Sequence, residues 1–139
     1  MDDSCNFEQA ALIYKLLDSN KFKRIACYFN DFFRGKYAIL KKLYESDEVV
    51  ASGDLARDVG VSTARIATAL NTLEEERLIT RVKSDEDGRI TIINLTKEGE
   101  KSFIEQRNLF IKSVIHFLNK LDKDEILILT KMLETIINE

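Results

Sequence analysis

The chain has 139 residues, 45% of them hydrophobic and 32% charged, which suits one domain with a sizeable core. Its net charge of −3 argues against broad, nonspecific nucleic-acid binding, which usually shows a basic domain. The two cysteines are too few for a disulfide scaffold and lack metal-like spacing. The acidic start is unlike a signal peptide, and no apolar run is long enough to span a membrane. We therefore expect a cytoplasmic protein.

The first part of the chain carries apolar residues at helical spacing. Residues 7–33 predict one long helix, kinked near residues 18–20 and ended by Gly35. Residues 36–46 predict a second helix. Cys27 lies inside the first apolar stripe, so we expect a small buried side chain there rather than a reactive thiol.

The centre of the chain predicts two short helices joined by a glycine-containing turn. The first covers residues 53–59, with Ser52 as its N-cap and Gly60 at the left-handed position just past its end. The second covers residues 62–77, with Ser62 as its N-cap. In such a pair the second helix can lie in the major groove of DNA.

At about 100° per residue, the second helix separates an apolar face from a polar face without acids. The apolar, inward residues are Ile66, Ala69, Leu70 and Leu73. The outward residues are Ala64, Arg65, Thr68, Asn71 and Thr72. Arg65 suits a guanine edge, and Thr68 or Thr72 suits a base hydrogen bond or a thymine methyl group. Ser62 and Thr63 suit a phosphate oxygen. The alternative is an ordinary amphipathic helix with a solvated face.

Two β-prone stretches, residues 78–83 and 89–95, predict a two-stranded hairpin directly after this helix, in the position of a wing. Its tip crowds three acids around Arg89. A lone arginine there is what a narrow, negative minor groove attracts. We interpret Arg89 as the contact, with Asp85 or Asp87 holding the tip and aiming Arg89 through a charge-assisted hydrogen bond. Two further candidates on the wing are Arg81 and Lys83.

The end of the chain predicts two helices. Thr96 opens the first, which runs to about Lys120, and Asp122 and Glu125 have the spacing of a capping box that starts the last helix. Both are rich in Ile, Leu and Phe, more than one small domain could hide. Apolar surface of that extent usually marks an interface.

The chain resembles the multiple-antibiotic-resistance regulator (MarR) family of bacterial transcription factors. The motifs that carry the resemblance are "DLARDVGVSTARIATALNTLEEERLITR", residues 54–81, and "SDEDGRITIINLTKEGE", residues 84–100. The chain departs from the family pattern at Arg77, where many members have glycine, and at Thr68, where many have a basic residue. Many members also have more basic wings.

The resemblance implies a mainly α fold with a small β-hairpin. Residues 1–139 would form a single domain, in which a winged helix-turn-helix over residues 35–96 is flanked by dimerisation helices within 1–34 and 97–139. It further implies a homodimer, without cofactor, that binds a pseudo-palindromic double-stranded DNA operator, commonly as a repressor. The family's DNA contacts carry over to Ser62, Thr63, Arg65, Thr68 and Arg89, with Asp87 as the partner of Arg89.

Many members of that family release DNA when a small aromatic or phenolic effector binds between the dimer base and the winged helix. The aromatic residues expected near that junction are Tyr28, Phe29, Phe32, Phe33 and Tyr37, and the alternative is that they are core aromatics. Cys5 is a candidate for thiol-based redox sensing, which would make the chain a redox-sensing regulator. The acids around Cys5 disfavour a thiolate.

Other functions have less support from the sequence. His116 is the single histidine, and it has no nucleophile motif around it, so we expect neither an enzyme nor a metal site. The stronger rival is a winged-helix protein-interaction module that has lost DNA binding. The acidic net charge favours that rival, whereas the acid-free helix face disfavours it.

Overall fold

The structure, a computed structural model, describes residues 3–138, without the side chains of residues 3–6, 31 and 32. The Cys5 thiol and the Phe32 ring, both candidates from the sequence, therefore lie outside the described part. The described elements are α1 (Asp3–Leu17), α2 (Asn20–Phe32), α3 (Lys36–Glu45), β1 (Val50–Ala51), α4 (Ser52–Val59), α5 (Thr63–Glu75), β2 (Ile79–Lys83), β3 (Thr91–Leu95), α6 (Lys97–Leu118) and α7 (Lys123–Ile137).

These elements form two compact units, Met1–Glu100 and Lys101–Glu139. The first unit contains α1 to α5, the sheet and the first turn of α6. The second contains the rest of α6 and α7. Among residues 3–138, no helix is both long and apolar enough to cross a membrane.

The N-terminal region is two helices, so the prediction of one long helix is wrong, although the break lies where a kink was predicted, near residues 18–20. Ser19 is extended, and its hydroxyl accepts a hydrogen bond from the backbone N–H of Phe22 at 3.2 Å, the geometry of an N-cap that starts α2. The apolar spacing continues across this break, so the sequence pattern indicates a kink there and not the end of a helix. Gly35 does not end the preceding helix either: α2 ends at Phe32, and Gly35, with φ of 71°, precedes α3 as its N-cap.

The prediction that Cys27 is buried is also wrong. Its side chain is exposed, as are those of Ala26 and Tyr28 beside it on α2. All described side chains of residues 7–17 on α1 are exposed as well. The apolar spacing along these helices therefore marks surface that the core of this chain does not cover.

The core of the first unit lies between α3, α4, α5 and the sheet. Its buried side chains are Ile39, Leu40, Leu43, Val50, Leu55, Ile66, Leu70, Leu73, Ile79 and Ile93. Three of them, Ile66, Leu70 and Leu73, lie on one side of α5 at helical spacing, so the predicted inward face is confirmed. The packing of α5 therefore leaves its opposite face at the surface.

The two central helices begin and end at specific cap residues. Gly60 has φ of 68° and ψ of 34°, the left-handed conformation predicted for it at the end of α4. Ser62 caps α5 and accepts from the backbone N–H of Arg65, also as predicted. Ser52, however, is the first residue of α4, and Ala51 is the N-cap without a side-chain bond. Strand β1 keeps the chain extended as far as Ala51, and the helix then starts at Ser52, one residue earlier than a serine cap there would need.

The sheet has three antiparallel strands in the order β1-β3-β2, one strand more than the predicted hairpin. Strand β3 lies in the centre and pairs Ile93 with Val50 on one side and with Arg81 on the other. Val50 and Ile93 are buried. Strand β1 has two residues, which is too short for a periodic signal in the sequence.

The base of the hairpin is joined to the start of α6 at the carbonyl oxygen of Leu78. This oxygen accepts the backbone N–H of Thr96 at 3.0 Å, and the Thr96 hydroxyl lies within 3.0 Å of it. The same hydroxyl oxygen accepts from the backbone N–H of Gly99 at 3.0 Å, which caps α6. Immediately before Leu78, Arg77 has φ of 60°, a conformation that favours glycine. The backbone there accounts for the glycine common at this position in the family that the chain resembles.

Helix α6 begins in very close contact with this junction. A Cβ atom built on Gly99 would lie 2.0 Å from the Leu78 carbonyl oxygen and 2.7 Å from Cδ1 of Leu95. Real Cβ atoms do not approach a backbone oxygen so closely. Gly99 is therefore needed for its lack of a side chain, since any other residue would push α6 off the hairpin.

The second unit ends in an apolar helix that starts at a capping box. The predicted capping box is confirmed: Asp122 accepts from the N–H of Glu125 at 2.8 Å, and Glu125 accepts from the N–H of Asp122 at 2.9 Å. Helix α7 then presents Ile, Leu and Met side chains, yet none of its residues is buried. A helix of this composition needs a partner surface to be stable in water.

Gly99→Ala is expected to lower the free energy of unfolding by about 2–3 kcal/mol, because the added methyl group overlaps backbone atoms that cannot move freely. The matched control is Gly53→Ala on α4, where a Cβ atom meets nothing within 4 Å. That change is expected to be neutral or stabilising by up to about 1 kcal/mol. Urea unfolding measures both, and equal effects of the two substitutions would contradict the close approach at Leu78.

Candidate nucleic-acid interface

The outer face of α5, defined here as Thr63, Ala64, Arg65, Thr68, Asn71 and Thr72, contains no acid and lies where the helical spacing predicts it. All of these side chains are exposed except that of Thr72, which is half-buried. Among the described residues, no ion pair involves Arg65, so its guanidinium is not used to hold the fold. The face therefore offers one cation, one amide and short side chains to a partner.

The start of α5 is suited to an anion. The Ser62 hydroxyl accepts from the backbone N–H of Arg65 at 3.4 Å and so satisfies one of the first-turn donors. The other first-turn N–H groups have no acceptor within the helix. Together with the positive end of the helix dipole, they favour a phosphate oxygen beside Ser62 and Thr63.

The far end of α5 carries three consecutive acids, and two of them are neutralised inside the first unit. The Lys36 ammonium lies 3.0 and 3.1 Å from the two carboxylate oxygens of Glu76. The Arg81 guanidinium bonds the carboxylate of Glu74 through Nε at 2.9 Å and also through Nη2. Glu74 and Glu76 therefore attach the end of α5 to β2 and α3.

Arg81, predicted from the sequence as a wing contact, is used in this ion pair. Its side chain is 30% exposed, and that of Glu74 is 40% exposed. The hydrogen bond from Arg81 lowers the pKa of Glu74, against the opposing effect of burial. The same hydrogen bond raises the pKa of Arg81. Seven positions separate Glu74 from Arg81, and only the turn into β2 brings them together, so no local pattern in the sequence indicates this pair.

The hairpin tip, residues 84–90, is held by its own hydrogen bonds. The N–H of Ser84 donates to the carbonyl of Ile90 at 2.9 Å, and the N–H of Ile90 donates to the carbonyl of Asp87 at 2.9 Å. The Ser84 hydroxyl oxygen accepts from the N–H groups of Glu86 and Asp87 at 3.3 and 3.4 Å. The tip is thus an ordered turn despite its high charge.

Asp87 holds the tip through the backbone of Arg89. Its Oδ1 accepts from the Arg89 N–H at 2.9 Å, whereas the expected bond to the guanidinium is not formed. Asp85 makes no ion pair with Arg89 in the described residues either. The backbone N–H is the nearer donor because a carboxylate reaches it two residues along the same turn. The Arg89 guanidinium therefore stays exposed, and Asp87 fixes only the backbone from which it extends.

Lys83 lies at the end of β2 and its ammonium donates to the Thr91 hydroxyl at 3.1 Å. The two residues are directly opposite in the hairpin. This bond ties the strands together just before the tip. Lys83 is exposed, so the ammonium group that braces the hairpin also remains at the surface.

Four of the five aromatic residues predicted near an effector site have described side chains, and none of the four is fully buried. Tyr28 and Phe33 are exposed, and Phe29 and Tyr37 are half-buried. The Tyr28 and Phe29 rings pack edge to face with centroids 6.0 Å apart. The Lys36 ammonium lies 5.8 Å from the centre of the Tyr37 ring. The interpretation of these four as core aromatics is therefore wrong.

Known proteins share both sequence and fold with this chain. Residues 34–91 match the MarR family. The chain is 30% identical over 114 residues to the Bacillus subtilis protein named "Uncharacterized HTH-type transcriptional regulator YdgJ", covering 78% of this chain and 68% of YdgJ. The crystal structure of YusO from Bacillus subtilis superposes with a TM-score of 0.74 at 17% identity and covers 99% of each chain.

A further structure of the same fold was solved with a ligand bound. The PcaV transcriptional regulator from Streptomyces coelicolor, in complex with its natural ligand, superposes with a TM-score of 0.58 at 22% identity. The match covers 74% of this chain and 72% of PcaV. At these identities the two structures establish the fold, a winged helix-turn-helix with additional helices, and the predicted fold class is confirmed.

Glu74→Gln is expected to destabilise the protein at neutral pH, because it removes the charge that Arg81 holds. The lowered pKa of Glu74 means that its stabilising effect is present above the ordinary value of 4.5 and is lost as the pH falls through the lowered one. The difference in unfolding free energy between parent and variant should therefore vanish in acid. Glu75→Gln, on the same turn but outside the described ion pairs, is the matched control. A difference for Glu74→Gln that persists at low pH would contradict the assigned role.

Proposed function

Because the chain belongs to the MarR family of transcriptional regulators, we propose that it binds a specific DNA operator as a homodimer in the cytoplasm. One observation carries this proposal. The acid-free outer face of α5 and a hairpin tip with an exposed arginine belong to the same compact unit. Three of the acids beside these surfaces, Glu74, Glu76 and Asp87, are bonded to partners within that unit. An acidic protein can in this way present a local surface that tolerates phosphates.

The outer face of α5 is the proposed major-groove surface. Arg65 is exposed and outside the described ion pairs, so it can donate two hydrogen bonds to a guanine edge. Ser62 and Thr63 at the helix start hold a phosphate oxygen, which fixes the depth and register of the helix. Asn71 and Thr72 lie further along the same face and reach the groove wall or the neighbouring bases.

The hairpin tip is the proposed minor-groove surface. A narrow minor groove concentrates negative potential, and it attracts an arginine that can enter it. Arg89 meets this need because its guanidinium is exposed, while the Asp87 carboxylate fixes the turn beneath it. Lys83, braced by Thr91, adds a charge close to the backbone. Arg81 contributes through its bond to Glu74, which fixes strand β2 against α5.

The exposed apolar helices are the proposed dimer interface. Ile136 and Ile137 on α7 are 69% and 77% exposed, and Phe7 and Tyr14 on α1 are 76% and 70% exposed. Surfaces of this kind usually mark an interface. A second copy of the chain provides an equally apolar surface, and a two-fold dimer places two winged helices on two half-sites about 10 base pairs, or a multiple, apart.

A small aromatic or phenolic effector is the proposed signal. PcaV, of the same fold, was solved with its natural ligand. In this chain the rings of Tyr28, Phe29, Phe33 and Tyr37 are exposed or half-buried and so are open to a ligand. Phe32 belongs to the same proposed group. Binding there would shift the dimer away from the DNA-competent form, and the protein would act as a ligand-released repressor.

Arg89→Ala tests the DNA-binding proposal. The variant should bind the DNA upstream of its own gene at least about tenfold more weakly, and the slope of log K against log salt should fall by about 1. Lys120→Ala, which removes the same charge from the turn between α6 and α7, is the matched control and should bind like the parent. Fluorescence anisotropy across a salt series measures both quantities.

Two outcomes of that titration would contradict the proposal. Equal binding by Arg89→Ala and the parent would remove the wing from the interface. A parent protein that binds no DNA even at low salt would favour a protein-interaction module.

Arg65→Ala in the same assay should reduce discrimination between operator and unrelated DNA by ~1–3 kcal/mol.

The double variant Met132→Asp with Ile136→Asp tests the dimer. Both side chains line one apolar depression of α7 and are 56% and 69% exposed. Two buried carboxylates at a symmetric interface repel each other and should leave a monomer, which sedimentation velocity detects. Val49→Asp, at a side chain that is 74% exposed outside these helices, should keep the parent's mass. A dimeric double variant would place the interface elsewhere.

A further inference from the structure

The threonine hydroxyls on the outer face of α5 are already used within the helix. Oγ1 of Thr68 lies 3.1 Å from the carbonyl oxygen of Ala64, and Oγ1 of Thr72 lies 3.2 Å from that of Thr68. A carbonyl oxygen only accepts, so each hydroxyl is the donor. Because a hydroxyl has one proton, neither threonine has a donor left for DNA.

Thr68 keeps two groups for a partner, its methyl group and the acceptor lone pairs of its hydroxyl oxygen. Thr68 is exposed, and the tetrahedral Cβ holds the methyl carbon apart from the hydroxyl that faces Ala64. A β-branched side chain in a helix has few rotamers, so this arrangement is restricted. Thr72 repeats it one turn further on, with a half-buried side chain. At Thr68 and Thr72 the outer face therefore offers methyl groups and acceptor oxygens but no hydroxyl donor.

The four base pairs differ in what they offer such a surface. A guanine edge in the major groove presents the acceptors N7 and O6, which need a donor that Thr68 lacks. Thymine presents its C5 methyl group, which packs well against another methyl group. Arg65, one turn earlier and outside the described ion pairs, supplies the donors that guanine needs. The two residues therefore suit different base pairs in one half-site.

We infer that Thr68 is a specificity-determining residue that selects a thymine in each operator half-site through methyl–methyl contact, with Thr72 supporting it. This inference rests on the proposed function and names the base that the DNA-binding face selects. It also concerns a position where the chain departs from the basic residue of many related regulators. A cation there would favour guanine, whereas Thr68 excludes it by offering no donor.

The experiment starts from a duplex that the parent protein selects from a randomised DNA pool. Deoxyuridine then replaces thymine at one position at a time, which removes only the C5 methyl group. At one position in each half-site this change should weaken binding by about fourfold, the factor for one buried methyl group. Anisotropy titration of each synthetic duplex gives the affinities.

Two matched variants separate the methyl group from the hydroxyl. Thr68→Val keeps a methyl group on each branch and loses the hydroxyl. Its affinity for the selected duplex should lie within about twofold of the parent's and should still fall when deoxyuridine replaces thymine. Thr68→Ser keeps the hydroxyl and loses the methyl group. Its affinity for the selected duplex should fall by about fourfold, and replacing thymine with deoxyuridine should no longer change that affinity. Since Thr68 is exposed, both variants should unfold at the parent's temperature.

Several results would overturn the inference. If Thr68→Val binds the selected duplex more weakly than Thr68→Ser does, the hydroxyl makes the contact. Unchanged binding at every deoxyuridine position would exclude any thymine methyl contact. In both cases the parent still binds its selected duplex, so the proposed DNA-binding function stands. If the parent enriches no duplex from the pool, the proposed function itself fails, and the inference fails with it.

Discussion

The carbonyl oxygen of Leu78 is the point on which the geometry of the DNA-binding unit depends. It receives the backbone N–H of Thr96, and the Thr96 hydroxyl lies within reach. Gly99 lets α6 start directly against it, because no side chain intervenes. The end of α5, both strands of the hairpin and the start of α6 therefore meet within a few ångströms. This junction joins the end of the proposed recognition helix to the wing.

The same junction explains a local conformation that is otherwise costly. The chain must reverse between α5 and β2, and it does so with Arg77 at φ of 60°. For a residue with a Cβ atom this costs roughly 1–2 kcal/mol. The bonds that converge on Leu78 and the buried side chain of Ile79 directly after it hold the chain in that conformation. The strain is therefore balanced by contacts on both sides of Arg77.

Ion pairs hold strand β2 and helix α3 to the end of α5. They also explain how a chain with a negative net charge can present a surface that suits DNA. Glu74 and Glu76, at the end of α5, bind Arg81 and Lys36. At the hairpin tip, Asp87 binds a backbone N–H. These carboxylates are engaged within the protein, while Arg65 and Arg89 are outside the described ion pairs. Net charge is a sum over the chain, and it does not report this arrangement.

The sequence was sufficient for most local signals, although the caps expected at Ser52 and Gly35 differ in the structure. The caps at Ser62 and Gly60, the capping box of α7 and the inward face of α5 depend on residues within one or two turns, and all were predicted. Strand β1 was missed because two residues give no period. The break at Ser19 was underestimated because apolar spacing runs through it. The roles of Arg81 and Asp87 differ from those predicted because the alternative partners are a distant glutamate and a backbone N–H, which only the folded chain brings close.

The exposed helices show the limit of burial arguments based on one chain. Apolar spacing on α1 and α2 predicts burial, and Cys27 was expected inside for that reason. Its exposure, together with that of α7, fits surfaces that a second copy covers. Sequence periodicity identifies apolar faces correctly, but it does not distinguish a face buried within one chain from a face buried between two.

Hydroxyl-radical footprinting of the parent protein on the DNA upstream of its gene tests the central claim most directly, because it reports backbone and minor-groove contacts base by base. A homodimer with two recognition helices and two wings predicts two equal sets of protected positions, related by a two-fold axis and centred about 10 base pairs, or a multiple, apart. A single unsymmetric patch, or no protection at low salt, would contradict a dimeric operator-binding regulator.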